Sequence, residues 1–244
     1  AESWSCLWNS KYQGKLLMFD NPRDAFAIAE SMLGYSFNTE DEQELKNCAD
    51  LLATQSPVLQ GYVMDQIFDR MERGEAWAAP YYAGDYLTMV EENPDLGFSH
   101  PKEGFNIFID AMCIPKGCQN KEGAEAFINF LCRPEISAAN LDYIGYSTPE
   151  TAAKDYLDED VTSSPVSYPD DETLARSESF AELGVGATQT MNDLWLSVKT
   201  SMSNTTLYLV LTITAIAAVI LFFLISGIIK RRKKARRCRK WRQT

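Results

Sequence analysis

The stretch LYLVLTITAIAAVILFFLISGII, Leu207 to Ile229, divides the chain into parts that cannot share one solvent. Its 23 residues hold no charge and no proline, and about 20 apolar residues suffice for a helix to cross a bilayer core. KRRKKARRCRKWR follows at once, so 10 of the 23 Lys and Arg fall within Lys230–Arg242. Basic residues of this kind stay on the cytoplasmic side of a span. The sequence therefore predicts an outer region over 1–200, a transmembrane helix over 207–229 and a basic cytoplasmic tail over 230–244. That is a single-pass anchor in the cell membrane. A buried core helix would require neither the length nor the abrupt basic flank. The chain starts at Ala1 without an apolar export segment. An outer domain needs a route across the membrane, so this reading expects a missing upstream portion.

The charge is as divided as the hydropathy. All 34 acidic residues precede Leu207, where they meet 13 basic ones, a formal charge of −21 over residues 1–206. Such a surface repels phosphate, which excludes nucleic acid as the expected partner. It suits small cations or basic surfaces, and it is equally what a solvated acidic face without a ligand looks like. Six cysteines and one histidine, His100, show no metal-ligand spacing, so no metal or other cofactor is expected. Cys238 lies in the tail, which leaves an odd number outside. Cys113 and Cys132 fall on apolar faces and read as small buried hydrophobes.

Strands and helices alternate along the outer region. Leu16 to Phe19 form an apolar strand, and Asn21, Pro22 and Asp24 then open a helix that Gly34 stops. Thr39-Glu40-Asp41-Glu42 reads as a capping box for a helix to about Gln55, with a short helix over 65–73 after it. EAWAAPYY, 75–82, is an edge strand weakened by Pro80. A helix follows over 85–92, and 105–114 is a third strand. Asn120 caps a helix whose Ala124, Phe127, Ile128 and Leu131 share one face; Pro134 starts another that ends near Gly145. A last helix runs from Asp171 to about Lys199. This rhythm predicts an α/β fold with a parallel or mixed sheet.

Asp110 is out of place in its strand. Strand periodicity sets Asn106, Phe108, Asp110 and Met112 on one face, putting a ring beside a carboxylate, which is what an ammonium group is drawn to. At an effective dielectric near ~20, an ammonium ~4 Å from a carboxylate gains about 4 kcal/mol before desolvation. A carboxylate accepting backbone N–H bonds at a strand end is the structural alternative. FDNPRD and PYYAGDY offer related chemistry through Asp20, Asn21, Asp24, Tyr81, Tyr82, Asp85 and Tyr86. Capping alone would explain Asn21. No nucleophile–base pair or phosphate loop is visible, so the reading is not an enzyme.

Motifs occurring in order extend this. W-x-x-L-W-N-x-x-Y-x-G-K opens the chain at Trp4. G-Y-S-x-N-T, P-K-E-G, I-P-K-G-x-x-N-K-E, A-x-x-F-I-N-F-L-x-R-P-E and I-G-Y-x-T-P follow in that order. Over about residues 3–200 the chain resembles the spermidine/putrescine-binding proteins of bacterial ABC importers. The resemblance implies a bilobal periplasmic-binding-protein-like fold, with part of the first lobe absent, that closes on a polyamine. It also implies that carboxylates hold the ammonium groups and that rings line the methylenes. Position by position, it implies ligand contacts at Asn21, Asp24, Tyr82, Phe108, Asp110 and Tyr146. Asn21 stands where the family has an acid, and Tyr82 and Phe108 where it often has tryptophan. A late polar contact falls on Phe180 and is not carried over.

The resemblance further implies ABC permease subunits as partners. A receptor fused behind its own permease would account for Ala1 and Leu207 together. Two other readings stay open: a receptor for another small cationic solute, and a membrane-tethered sensor or adhesion domain with the same fold.

Overall fold

A computed structural model describes residues 2–200 and 211–214 of the chain. The chain divides into two compact units, Ala1–Val198 and Lys199–Thr244. In the second, residues 211–214 are helical, with Leu211 and Ile213 exposed. The rest of the expected 207–229 span, and the 230–244 tail, lie outside the described residues. Among the described residues, no helix is long and apolar enough to cross a membrane.

The first unit is built on two short parallel sheets. Strand β1 (Leu16–Phe19) pairs with β2 (Leu59–Val63), with Leu17 opposite Gly61 and Phe19 opposite Val63. Parallel neighbours need a crossover, supplied here by α1 (Pro22–Leu33) and α2 (Glu42–Ala53). Asn21 Oδ1 accepts from the Arg23 amide at 2.9 Å to start α1, and Gly34, at φ 74°, ends it. For α2 the cap is Asp41, which accepts from the Gln43 and Glu44 amides, while Thr39 reaches the Glu44 carboxylate instead. Helices α3 (Ile67–Glu72) and α4 (Ala83–Glu92) follow β2. The core gathers Met18, Phe19, Phe26, Leu45, Cys48 and Leu52. A helix over 185–198 closes it with Met191, Trp195 and Val198, spaced four and three residues apart to share one face.

The second sheet pairs β3 (Phe105–Ile107) with β4 (Ser177–Ser179). Gly104 permits this approach: its φ is 119°, and a Cβ there would meet the Arg176 carbonyl oxygen at 2.7 Å. Its own carbonyl accepts from Trp4 Nε1 at 2.8 Å and Ser31 Oγ at 3.2 Å, tying the P-K-E-G turn to the opening segment and α1. Helices α5 (Lys121–Leu131) and α6 (Pro134–Ile144) complete the region.

Several expectations are corrected. The strand expected over 105–114 is three residues long, because β4 offers only three partners. Phe108, Ile109, Asp110 and Met112 are therefore exposed rather than buried. The 75–82 strand reduces to a bridge between Ala78 and Leu16, consistent with Pro80 lacking an N–H. The helix expected from Asp171 to Lys199 is interrupted by β4, whose pairing with β3 overrides local preference. Strand β2 falls where the sequence reading assigned nothing. Helix α5 forms with its Asn120 cap, yet buries none of its residues, and Phe127 is 61% exposed. Cys113 and Cys132 are exposed; among the described residues Cys48 is the buried thiol.

Glu30 is fully buried in α1 and neither carboxylate oxygen has a hydrogen-bond partner among the described residues. Burial raises its pKa to about 8, with Arg23 pulling it down and Glu178 and Glu44 pushing it up. A carboxyl whose folded pKa exceeds its unfolded value holds its proton in the native state alone, so stability falls as pH rises from about 4.5 toward 8. Glu30→Leu should raise the melting temperature at pH 8 by an amount equivalent to about 1–3 kcal/mol. It should also flatten the decline between pH 5 and 8 in calorimetric scans.

Candidate ligand-binding site

Each extended segment ends at the same place. Asn21 and Asp24 follow β1, and Met64 and Asp65 follow β2. Tyr81 and Tyr82 come after the Ala78 bridge, Phe108 and Asp110 after β3, and Phe180 after β4. Together with Tyr146, which follows the Gly145 cap of α6, these residues line one cavity of about 460 Å³. Parallel sheets place ligand crevices beyond the carboxyl ends of their strands, since loops and helix starts converge there. All six sequence-predicted positions, Asn21, Asp24, Tyr82, Phe108, Asp110 and Tyr146, lie on this cavity.

The walls are aromatic and the polar groups mostly acidic. Tyr82 stands 5.4 Å from Phe19 and 5.6 Å from Phe108 between ring centroids, and Phe108 stands 6.1 Å from Tyr146. Asp24, Asp65, Asp85 and Asp110 line the cavity with a single guanidinium, Arg23. Arg23 is already engaged: its Nη2 donates to Asn38 Oδ1 at 2.8 Å and the Ala181 carbonyl at 3.1 Å. Its guanidinium also lies 4.6 Å from the Phe180 ring centroid. It therefore fastens the segment after β4 to the start of α1.

Asp24, expected both at the opening of α1 and as a ligand contact, is buried. It turns into the cavity and accepts from the Tyr82 hydroxyl at 3.0 Å. Burial raises its pKa, while the Tyr82 bond and the Arg23 charge lower it. Asp85 repeats the arrangement with Tyr146: burial raises the carboxyl, and the tyrosine hydrogen bond opposes it. Burial, then the charges of Asp85 and Asp65, push Tyr81 up to about 12. Tyr82 and Tyr146 are raised as well, first by burial and then by Asp24 and Asp85 respectively. The phenols thus stay protonated and donate to carboxylates. A carboxylate holding one such bond keeps lone pairs for a second donor. Desolvated acids beside aromatic faces make a receptor for an organic cation.

The sequence reading did not single out Met64 and Asp65, because β2 was not recognised; a turn directly after LQGYV was the available signal. Tyr81 and Asp85 belong to the PYYAGDY stretch, whose place after an expected strand was the signal for them.

The family model for bacterial extracellular solute-binding proteins matches residues 2–175. The chain belongs to that family. It is 32% identical over 185 residues to the spermidine/putrescine-binding periplasmic protein of Escherichia coli (strain K12), covering 76% of this chain and 53% of that protein. Among solved structures it is similar to the spermidine/putrescine ABC transporter substrate-binding protein PotD of Streptococcus pneumoniae. The TM-score there is 0.75 and the identity 33%, over 83% of this chain and 62% of that one. The Tp0655 (TpPotD) lipoprotein of Treponema pallidum matches with a TM-score of 0.72 and 27% identity, over 81% of this chain and 61% of that one. The family member described here thus has a periplasmic-binding-protein-like fold and spans about half the length of the curated relatives it matches.

Tyr82→Phe removes the bond that opposes the burial of Asp24, so the Asp24 carboxyl should titrate at higher pH than in the unaltered chain. Carbon-13 NMR of labelled aspartate measures this directly.

Proposed function

We propose that the chain is the solute-capturing part of a polyamine ABC importer, taking spermidine or putrescine outside the membrane and passing it to permease subunits. The observation that carries this is the meeting of carboxylates and aromatic rings on one cavity at the strand ends. Asp24 and Asp110 engage ammonium groups, and Tyr82, Phe108 and Tyr146 cover the methylenes between them. Asn21, its oxygen already capping α1, supplies a neutral acceptor where a charge would bind harder. The acidic outer region concentrates polycations near the mouth. Relatives bearing polyamine-binding names support the same choice.

In this reading Leu207–Ile229 spans the membrane with residues 230–244 inside, and the tether holds the receptor close to its transporter, raising its effective concentration there. The composition of the segment supports it.

Calorimetric titration of the full chain with spermidine and putrescine tests the proposal. Heat with neither, but with another solute, removes it. Asp110→Asn should weaken binding at least tenfold with an unchanged melting temperature; unchanged affinity would take Asp110 out of the site. For topology, in a chain whose Cys6, Cys48, Cys113, Cys118 and Cys132 are replaced by serine, a membrane-impermeant maleimide should label Cys238 in cells only after permeabilisation. Labelling of intact cells would reverse the orientation.

A further inference from the structure

We infer that Gly84 and Gly145 form a backbone seat that positions the Tyr146 ring and joins the two sides of the cavity. For its ligand this rests on the polyamine reading; for its geometry it does not.

Gly84 is buried in the first turn of α4, and Gly145 is the left-handed cap of α6, with φ 75°. A Cβ on Gly84 would fall into the Tyr146 ring, whose Cδ2, Cε2 and Cγ are its nearest neighbours. A Cβ on Gly145 would meet the Gly84 carbonyl oxygen at 2.9 Å and Leu87 Cβ at 3.3 Å. Each glycine is therefore small because of the other's element. The ring lies against bare backbone, an approach open only where side chains are missing.

The seat spans two assemblies. Helix α4 is anchored through Met89 among Leu17, Val63, Ile67 and Ala76, on the β1–β2 side. Helix α6 packs chiefly against the 3-10 helix Thr151–Tyr156, with α5 and α4 beside it. Tyr146 crosses from the second to the first, faces Asp85 in the same turn as Gly84, and presents its ring to Phe108. Displacing it would widen the cavity and break both contacts at once.

Gly84 does not have a positive φ, and alanine suits its helical backbone. Stability and binding should consequently move apart. In Gly84→Ala the full chain should melt no lower than the unaltered chain, yet its Kd for spermidine should rise at least tenfold. In a Tyr146→Ala background, adding Gly84→Ala should change affinity less than twofold, because the ring it displaces is gone. Without ligand, carbon-13 tyrosine NMR should show the Tyr146 resonance shifted by Gly84→Ala and those of Tyr35 and Tyr156 unmoved. An unmoved Tyr146 resonance, or an equal loss of affinity in both backgrounds, would overturn the seat. If the unaltered chain binds neither spermidine nor putrescine, the polyamine reading fails, and the NMR comparison alone decides the seat.

Discussion

The hydrogen bond from Tyr82 to the buried Asp24 carboxyl is where the geometry of the site is decided. Asp24 belongs to the first turn of α1, and Tyr82 is the N-cap of α4. The bond ties the start of one helix to the start of another across the ends of the strands. A carboxyl in this position is costly, since burial opposes its charge. The hydroxyl and the Arg23 charge offset part of that cost, and a cation arriving in the cavity could offset the remainder. An acid that is poorly paired at rest is a better receptor than one already neutralised by a salt bridge, because less must be undone when the ligand enters. Arg23 stays clear of that role through its bonds to Asn38 and Ala181.

The same logic explains why Asp24 and Asp85 each face a phenol. Tyrosine donates one bond without adding positive charge, so it orients Asp24 and Asp85 while leaving the field of the cavity negative. The rings then serve twice, as donors at their tips and as apolar or cation-attracting walls along their faces.

Packing is unequal across the unit. The β1–β2 side has a continuous core reaching from Leu7 to the helix over 185–198. Around β3 the sheet has two short strands, α5 buries nothing, and Ile109 is 82% exposed. Of the apolar residues that made 105–114 read as a buried strand, Ile109 and Met112 are exposed, while Phe108 meets the Tyr82 and Tyr146 rings.

Local signals were legible where chemistry acts over a few residues. Strand β1, the Asn21 and Asn120 caps and the glycine stops at Gly34 and Gly145 follow from side-chain reach and backbone sterics within one turn. The six candidate positions were legible too, carried position by position by the family resemblance, with Tyr146 inside an ordered motif and Asp110 marked by its misplacement in an apolar run beside Phe108. The tertiary structure decided what depends on partners distant in the chain. It alone paired β3 with β4, cut the 105–114 strand to three residues, and turned Asp24 from a cap toward Tyr82. It also brought Asp65, Asp85 and Phe180 to the same cavity as Asp110. The length of β3 and the surroundings of Asp24 are set by groups distant in the chain, as in the Tyr82–Asp24 bond with its separation of 58, and no local pattern encodes them.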